Sequence, residues 1–167
     1  MHYIVLAALL SACVLADVQP QYYSFSPSVG SGSGTAYSLT GEGRITGVRV
    51  WDANNNYIYG IQFRYGYVWS PVVGFQSGDS NEILLHDDEA IVQVSGKYGH
   101  YVQSLVFITN KGRSLFAGQP SGRSFNMYPA NSRAELRFLS GRYHGAITSI
   151  GAHWGMVYQP SNSTDLM

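Results

Sequence analysis

The chain has 167 residues, ten Lys plus Arg balancing ten Asp plus Glu, and only 12% charged residues in all. With no net charge and no basic run, it lacks the electrostatic footprint of a nucleic-acid binder. Its one cysteine, Cys13, excludes an intrachain disulfide and a Cys-based zinc site.

His2 to Ala16 is an apolar run ending in small residues. It reads as a secretory signal peptide, cleaved after Ala16. A membrane span needs about 20 apolar residues, and Asp17 ends this run first. Leu10-Ser11-Ala12-Cys13 resembles a bacterial lipidation box, but no Lys or Arg precedes the run. Cleavage removes Cys13 and leaves about 150 residues, a size that buries roughly 70% of its unfolded surface as one domain. The expected organisation is a signal peptide at 1–16, one domain at 17–160 and a polar, fraying tail at 161–167. Within the tail, Asn162-Ser163-Thr164 is a glycosylation sequon, relevant only in a eukaryotic secretory route.

No stretch has helical periodicity. Short runs rich in β-branched and aromatic residues recur between Gly, Asn, Asp, Ser and Pro, and they predict about twelve strands. In chain order these are Tyr22 to Phe25, Tyr37 to Leu39, Ile45 to Asp52, Ile58 to Tyr65, Val68 to Val73 and Glu82 to Leu85. Ile91 to Lys97, Tyr101 to Thr109, Ser114 to Ala117, Ser124 to Tyr128, Ala134 to Gly141 and Ile147 to Tyr158 follow, the last with a break near Gly155. Asp52-Ala53-Asn54-Asn55-Asn56 and Asn110-Lys111-Gly112 are hairpin turns, because Asn and Gly tolerate left-handed backbone. The runs starting at Ile45, Val102 and Ile147 share apolar residues at their first, fourth and sixth positions, and each follows a Gly-containing turn. Three copies of a four-stranded unit would make a prism with pseudo-threefold symmetry.

Several sequences imitate functional motifs. Gly30-Ser31-Gly32-Ser33-Gly34 looks like a phosphate-cradling loop, yet no helix pattern follows it. Its glycines do permit close backbone approach, so that N–H groups can meet a ligand oxygen. Asp52 to Asn56 starts like an EF-hand loop, but Tyr57 stands where Gly is required and Phe63 where Glu is required. His86-Asp87-Asp88-Glu89 is read as an acidic loop, since neighbours on a β-rich chain point apart. There is no nucleophile elbow and no His-Glu-x-x-His. No catalytic residue, metal ligand or cofactor site is therefore expected, and the chain is not expected to be an enzyme.

Three groups of residues carry a resemblance. They are Tyr59 to Gly66 with Val68-Trp69-Ser70, Ile91 to Tyr98, and Leu136 to Arg142 followed by Ile150-Gly151-Ala152-His153-Trp154. Their order resembles the zymogen granule branch of the jacalin-related lectins, over nearly the whole chain after Ala16. The resemblance implies an all-β, β-prism fold of three four-stranded antiparallel sheets with pseudo-threefold symmetry. It also implies a metal-independent sugar site at one end of the prism. The implied glycine-rich loop is Gly30 to Gly34, with Gly32 and Gly34 as binding residues. The implied recognition loop runs from Lys97 and Tyr98 to Tyr101. The implied binding loop is Gly151 to Gly155, with Ala152, His153, Trp154 and Gly155 as binding residues. Tyr98, Tyr101, Tyr143 and Trp154 are potential stacking surfaces.

Two departures from the family pattern bear on specificity. The binding loop of these lectins reads Gly, three residues, then Asp, and this chain has Gly155 at the last place. The zymogen granule branch carries Lys-Arg after the glycine loop, and this chain has Thr35-Ala36. Weak binding of simple mannose and weakened binding of sulfated glycans are expected. The expected partners are glycans on microbial or host surfaces or on secreted glycoproteins, with no nucleic acid and no membrane insertion. The alternative is a β-prism interaction or granule-packaging protein without sugar binding.

Overall fold

Residues 23–156 of the computed structural model are described, and they form strands without helices. The predicted signal peptide, the sequon and the tail lie outside the described residues.

The strands are β1 (Tyr23–Gly30), β2 (Thr35–Leu39), β3 (Ile45–Trp51), β4 (Gly60–Tyr65), β5 (Val68–Trp69), β6 (Val73–Gly74) and β7 (Ser80–Leu84). They continue as β8 (Ile91–Tyr98), β9 (Val102–Thr109), β10 (Ser114–Gly118), β11 (Arg123–Met127), β12 (Glu135–Tyr143) and β13 (Ile147–Gly155). They build three antiparallel sheets, ordered β1-β13-β12-β2, β10-β9-β8-β11 and β5-β4-β3-β7, with β6 also on β4. The predicted strand Val68 to Val73 is two short pieces. Both lie along β4, at opposite ends of it, and Pro71 falls between them, where it has no N–H to offer the ladder.

Each sheet is a Greek key in which a hairpin forms the centre and the next two strands flank it. In the first sheet the flanking strands are the N-terminal β1 and β2, on either side of the C-terminal hairpin β12–β13. Both ends of the chain thus complete one sheet. The threefold relation predicted from sequence is present, with different equivalences. β3, β8 and β12 are the first strands of the three hairpins, whereas Val102 and Ile147 begin second strands. The runs resemble one another because each alternates toward a common core, and that property does not fix position in the unit.

Alternation explains the packing. On β3, Val48 and Val50 are fully buried while Arg49 faces outward. Apolar side chains from all three sheets meet on the prism axis, with Phe63 edge-on to Phe107 at 5.9 Å between centroids. Trp154 of β13 is fully buried in the same core, and its Nε1–H donates to Ser26 Oγ at 3.0 Å.

The prism has two ends. At one, the connections β3–β4, β8–β9 and β12–β13 meet: Ile58 N–H donates to Val102 O at 3.0 Å, and Ile147 N–H to Ile58 O at 2.8 Å. There the Asp52–Asn56 turn carries three successive left-handed residues, Ala53, Asn54 and Asn55. Asp52 instead serves the turn. Its buried carboxylate accepts from Gly118 N–H at 2.7 Å and from Asn81 Nδ2 at 3.2 Å, tying the turn to β10 and β7.

At the other end, Glu89 from the acidic run is 1% exposed. It accepts from Thr109 Oγ1 at 2.6 Å, Arg113 Nη1 at 2.6 Å and the His86 N–H at 3.0 Å. Burial pushes its pKa up. The hydrogen bonds and the Arg113 charge outweigh burial and hold it below the ordinary 4.5. A depressed carboxylate pKa adds stability that is complete above the unfolded value and is lost as pH falls through the folded one. Glu89→Gln is therefore expected to be less stable than the parent at neutral pH, with the difference narrowing below about pH 4. Urea titrations at several pH values measure this, and a pH-independent difference would contradict it.

Candidate functional site

The glycine loop sits where the three hairpin connections meet. It is built by close approach. Gly30 and Gly34 have φ of 112° and 91°. A Cβ on Gly30 would lie 2.1 Å from Thr148 O, and one on Gly34 2.2 Å from Tyr143 O. No side chain fits either gap, so these glycines press the loop onto the β12–β13 hairpin. Gly32 also has a positive φ, 69°, but faces open space.

Polar contacts lock the loop in that position. Thr148 Oγ1 donates to Ser33 O at 2.5 Å, Arg142 Nη1 to Gly34 O at 2.8 Å and Gly32 N–H to Thr148 O at 3.4 Å. Among the described residues, no acceptor takes up the N–H groups of Ser31, Ser33 or Gly34, or of Gly145 and Ala146 in the facing turn. The two backbone segments meet along a shallow surface cleft, where Ser31, Gly34 and Gly145 are exposed and Ser33 half-buried, while Ala146 is buried beneath them. Around it stand aromatic rings. Tyr143 meets Phe75 edge-on at 6.0 Å, and Tyr101 packs on Tyr57 at 4.9 Å and on His100 at 4.7 Å.

The sequence-predicted residues divide into two groups. Gly32 and Gly34 are in the cleft. Tyr98 ends β8 next to the recognition turn, half-buried and packed 6.2 Å from Phe125. Lys97 donates to Ser124 Oγ at 3.0 Å, and no hydrogen bond joins it to the glycine loop among the described residues.

The stretch Gly151 to Gly155 is not a loop, which corrects the placement of the binding loop. It is the last part of β13, the strand between β1 and β12. Ala152, His153, Trp154 and Gly155 pair with Ser26, Phe25, Ser24 and Tyr23 on one side, and with Leu139, Phe138, Leu136 and Glu135 on the other. Their backbone donors are committed to these ladders. Ala152 and Trp154 are fully buried, so Trp154 offers no stacking face. The segment that faces the glycine loop is instead Arg142 to Thr148. Its legible signal is the turn-rich Ser140-Gly141-Arg142-Tyr143-His144-Gly145 immediately before the β13 pattern. This segment contains no carboxylate.

His153 points outward. Its Nε2 is 2.7 Å from Ser140 Oγ, its Nδ1 contacts the Tyr23 hydroxyl, and burial lowers its pKa from the ordinary 6.5. Gly155 is buried in the strand, so Gly155→Asp is expected to cost about 3 kcal/mol or more of stability by burying an unpaired carboxylate. It should create no sugar affinity. Thermal melts with glycan titration measure both, and a stable variant that gains mannose binding would contradict this placement.

Residues 26–153 match the family described as Jacalin-like lectin domain. The chain is 46% identical over 164 residues to human zymogen granule membrane protein 16, covering 96% of this chain and 97% of that protein. It is 45% identical over 155 residues to the rat protein of the same name, covering 90% and 92%. Among solved structures, a prostate-specific WGA16 glycoprotein lectin superposes with a TM-score of 0.71 at 32% identity, covering 81% of this chain and all of that one. Single-chain recombinant jacalin, at a TM-score of 0.68 and 21% identity over 81% of this chain and 95% of its own, shares the fold. Thirteen strands among the described residues, in three Greek-key sheets closed by a glycine loop clamped on the last hairpin, thus accompany a match that spans most of the sequence, and the chain belongs to the Jacalin-like lectin family.

Proposed function

We propose that this lectin is secreted and binds glycan at the loop end of the prism, without a metal ion. The observation that carries the reading is the meeting of Gly30–Gly34 with Tyr143–Gly145, where the N–H groups of Ser31, Ser33, Gly34 and Gly145 have no protein acceptor among the described residues. Rigid donors of this kind suit sugar hydroxyls, because their orientation is fixed before the ligand arrives. The apolar run from His2 to Ala16 and the relatives named for the zymogen granule support export through a secretory route.

The electrostatics of the cleft set the preference. No carboxylate lies between Gly141 and Ser149 to accept a pair of sugar hydroxyls. A hydrogen bond to a charged group contributes about 1.5–3 kcal/mol, so simple mannose binds weakly. The Arg142 guanidinium is the nearby cation, and Thr35-Ala36 add none, so heavily sulfated glycans are not favoured either. Neutral, extended glycans fit best.

A glycan array probed in calcium and in chelator tests this. Selective binding that is equal in both conditions is expected. Binding lost in chelator would overturn the metal-free site, and a blank array would favour the alternative of a prism that recognises protein.

A further inference from the structure

Gly30 and Gly32 of the glycine loop also line a groove on the outer face of the first sheet. Along β13 the outward positions Ser149, Gly151 and His153 stand opposite Arg142, Ser140 and Phe138 of β12. Gly30 and Phe25 of β1 flank Ser149 and His153 on one side. Ala36 and Ser38 of β2 flank Arg142 and Ser140 on the other. Beside the glycine loop the face is a shallow groove lined mainly by Gly30, Gly32, Gly141, Ser140 and Ser149, with Ala36, Tyr37 and Arg142 completing it and Ser28 set over Gly151. Side chains this small let a flat ligand lie close to the sheet.

Beyond the groove the same face carries rings. Phe138 and His153 stack at 4.0 Å with planes 11° apart. Tyr23 and Phe25 join the pile at 5.8 Å and 6.2 Å from His153. Tyr23 is 52% exposed and Phe25 63%. The imidazole at the centre is held through both nitrogens, by Tyr23 and Ser140. The rings are therefore ordered before any ligand arrives. From Ser149 to His153 is four residues of strand, about 13 Å, the span of a short oligosaccharide.

We infer that this outer face is an extended subsite for oligosaccharides, running from the loop-end cleft to a stacking platform of Tyr23, Phe25, Phe138 and His153. The inference rests on the loop-end cleft being the primary sugar site. A glycan is the occupant this surface fits. Hydroxyls, glycines and rings lie along it, and among the described residues Arg142 is the only charged side chain on the outward positions from the Ser149 row to the His153 row. Sugars present hydroxyls at the edge and C–H groups on the face, and exposed rings receive the latter.

The test uses the protein with size ladders of mannan- and chitin-derived oligosaccharides, disaccharide upward, against the parent and a Tyr23→Ala/Phe25→Ala double variant. The parent is expected to bind longer members more tightly. The variant should lose about tenfold on the longest members and nothing on disaccharides. Shifts of the His153 ring protons in the parent should follow the long oligosaccharides alone. This second readout holds even if the variant folds poorly. Length-independent affinity, with disaccharides still bound at the cleft, overturns the subsite and leaves the primary site standing. Equal losses on short and long members, or an unmoved His153 ring, also overturn it. A parent that binds no member of either ladder overturns both.

Discussion

Replacing Trp154 with alanine is expected to lower the unfolding free energy by about 3–5 kcal/mol, the usual range for a large aromatic removed from a core. The indole is fully buried on the central strand of the sheet that joins the two ends of the chain. Its ring contributes to the core shared by all three sheets, and its N–H holds Ser26 of the edge strand β1. The substitution opens a cavity that close-packed β-sheets do not readily collapse into, and it leaves the Ser26 hydroxyl without that partner. Domains of this kind have only about 5–15 kcal/mol of net stability, so the variant should unfold at a much lower urea concentration. Equilibrium denaturation measures the midpoint and slope. A loss below about 1 kcal/mol would mean that the three sheets do not share the core described here.

Gly34→Val is expected to reduce glycan affinity by a factor of about ten to a hundred, equivalent to losing about two neutral hydrogen bonds at roughly 0.5–1.5 kcal/mol each. The cause is steric. At φ of 91° a β-branched residue is strained, and its Cβ would lie 2.2 Å from the carbonyl oxygen of Tyr143. The loop has to lift from the hairpin, which separates the two walls of donors and breaks the Arg142 contact to Gly34 O. Gly32→Ala is the internal control. Its backbone is also left-handed, but nothing lies within 4 Å of the added methyl. It should cost about 1–2 kcal/mol in backbone strain and leave the contact with the hairpin intact. Calorimetric titration of both variants with one array-selected glycan compares them. Equal losses would show that clamping of the loop is irrelevant to binding.

These expectations rest on parts of the molecule that the sequence reveals to different degrees. The all-β class is legible because alternation on Ile45–Trp51 or Val102–Thr109 has a period of two and helical spacing is absent. The prism is legible through the resemblance, and the glycine loop through its composition. The facing wall is not where its sequence pattern suggests, for a physical reason. Gly151 to Gly155 has the glycines of a loop, yet Ile150, Ala152 and Trp154 continue the inward alternation of β13, so the ladder runs straight through. The turn at Gly141 to Gly145 was readable as a turn, but its contact with Gly30 and Gly34 depends on gaps that only backbone geometry shows. Glu89 belongs to a run that reads as an acidic loop, because its partners Thr109 and Arg113 are about twenty residues away in sequence. The ring pile has no local signal in sequence, since Tyr23, Phe25, Phe138 and His153 come from both ends of the chain and meet only when the N-terminal strand joins the C-terminal hairpin.

The central claim is that sugar is held by the backbone of the glycine loop and the β12–β13 turn. Amide chemical-shift mapping of the isotope-labelled protein with an array-selected oligosaccharide tests it most directly. The account predicts the largest shifts at the N–H groups of Ser31, Ser33, Gly34 and Gly145. Amides of Ala152 to Gly155 should shift little, held as they are within the ladders. Shifts concentrated at the opposite end, around His86 to Glu89, or no shifts at saturating glycan, would contradict it.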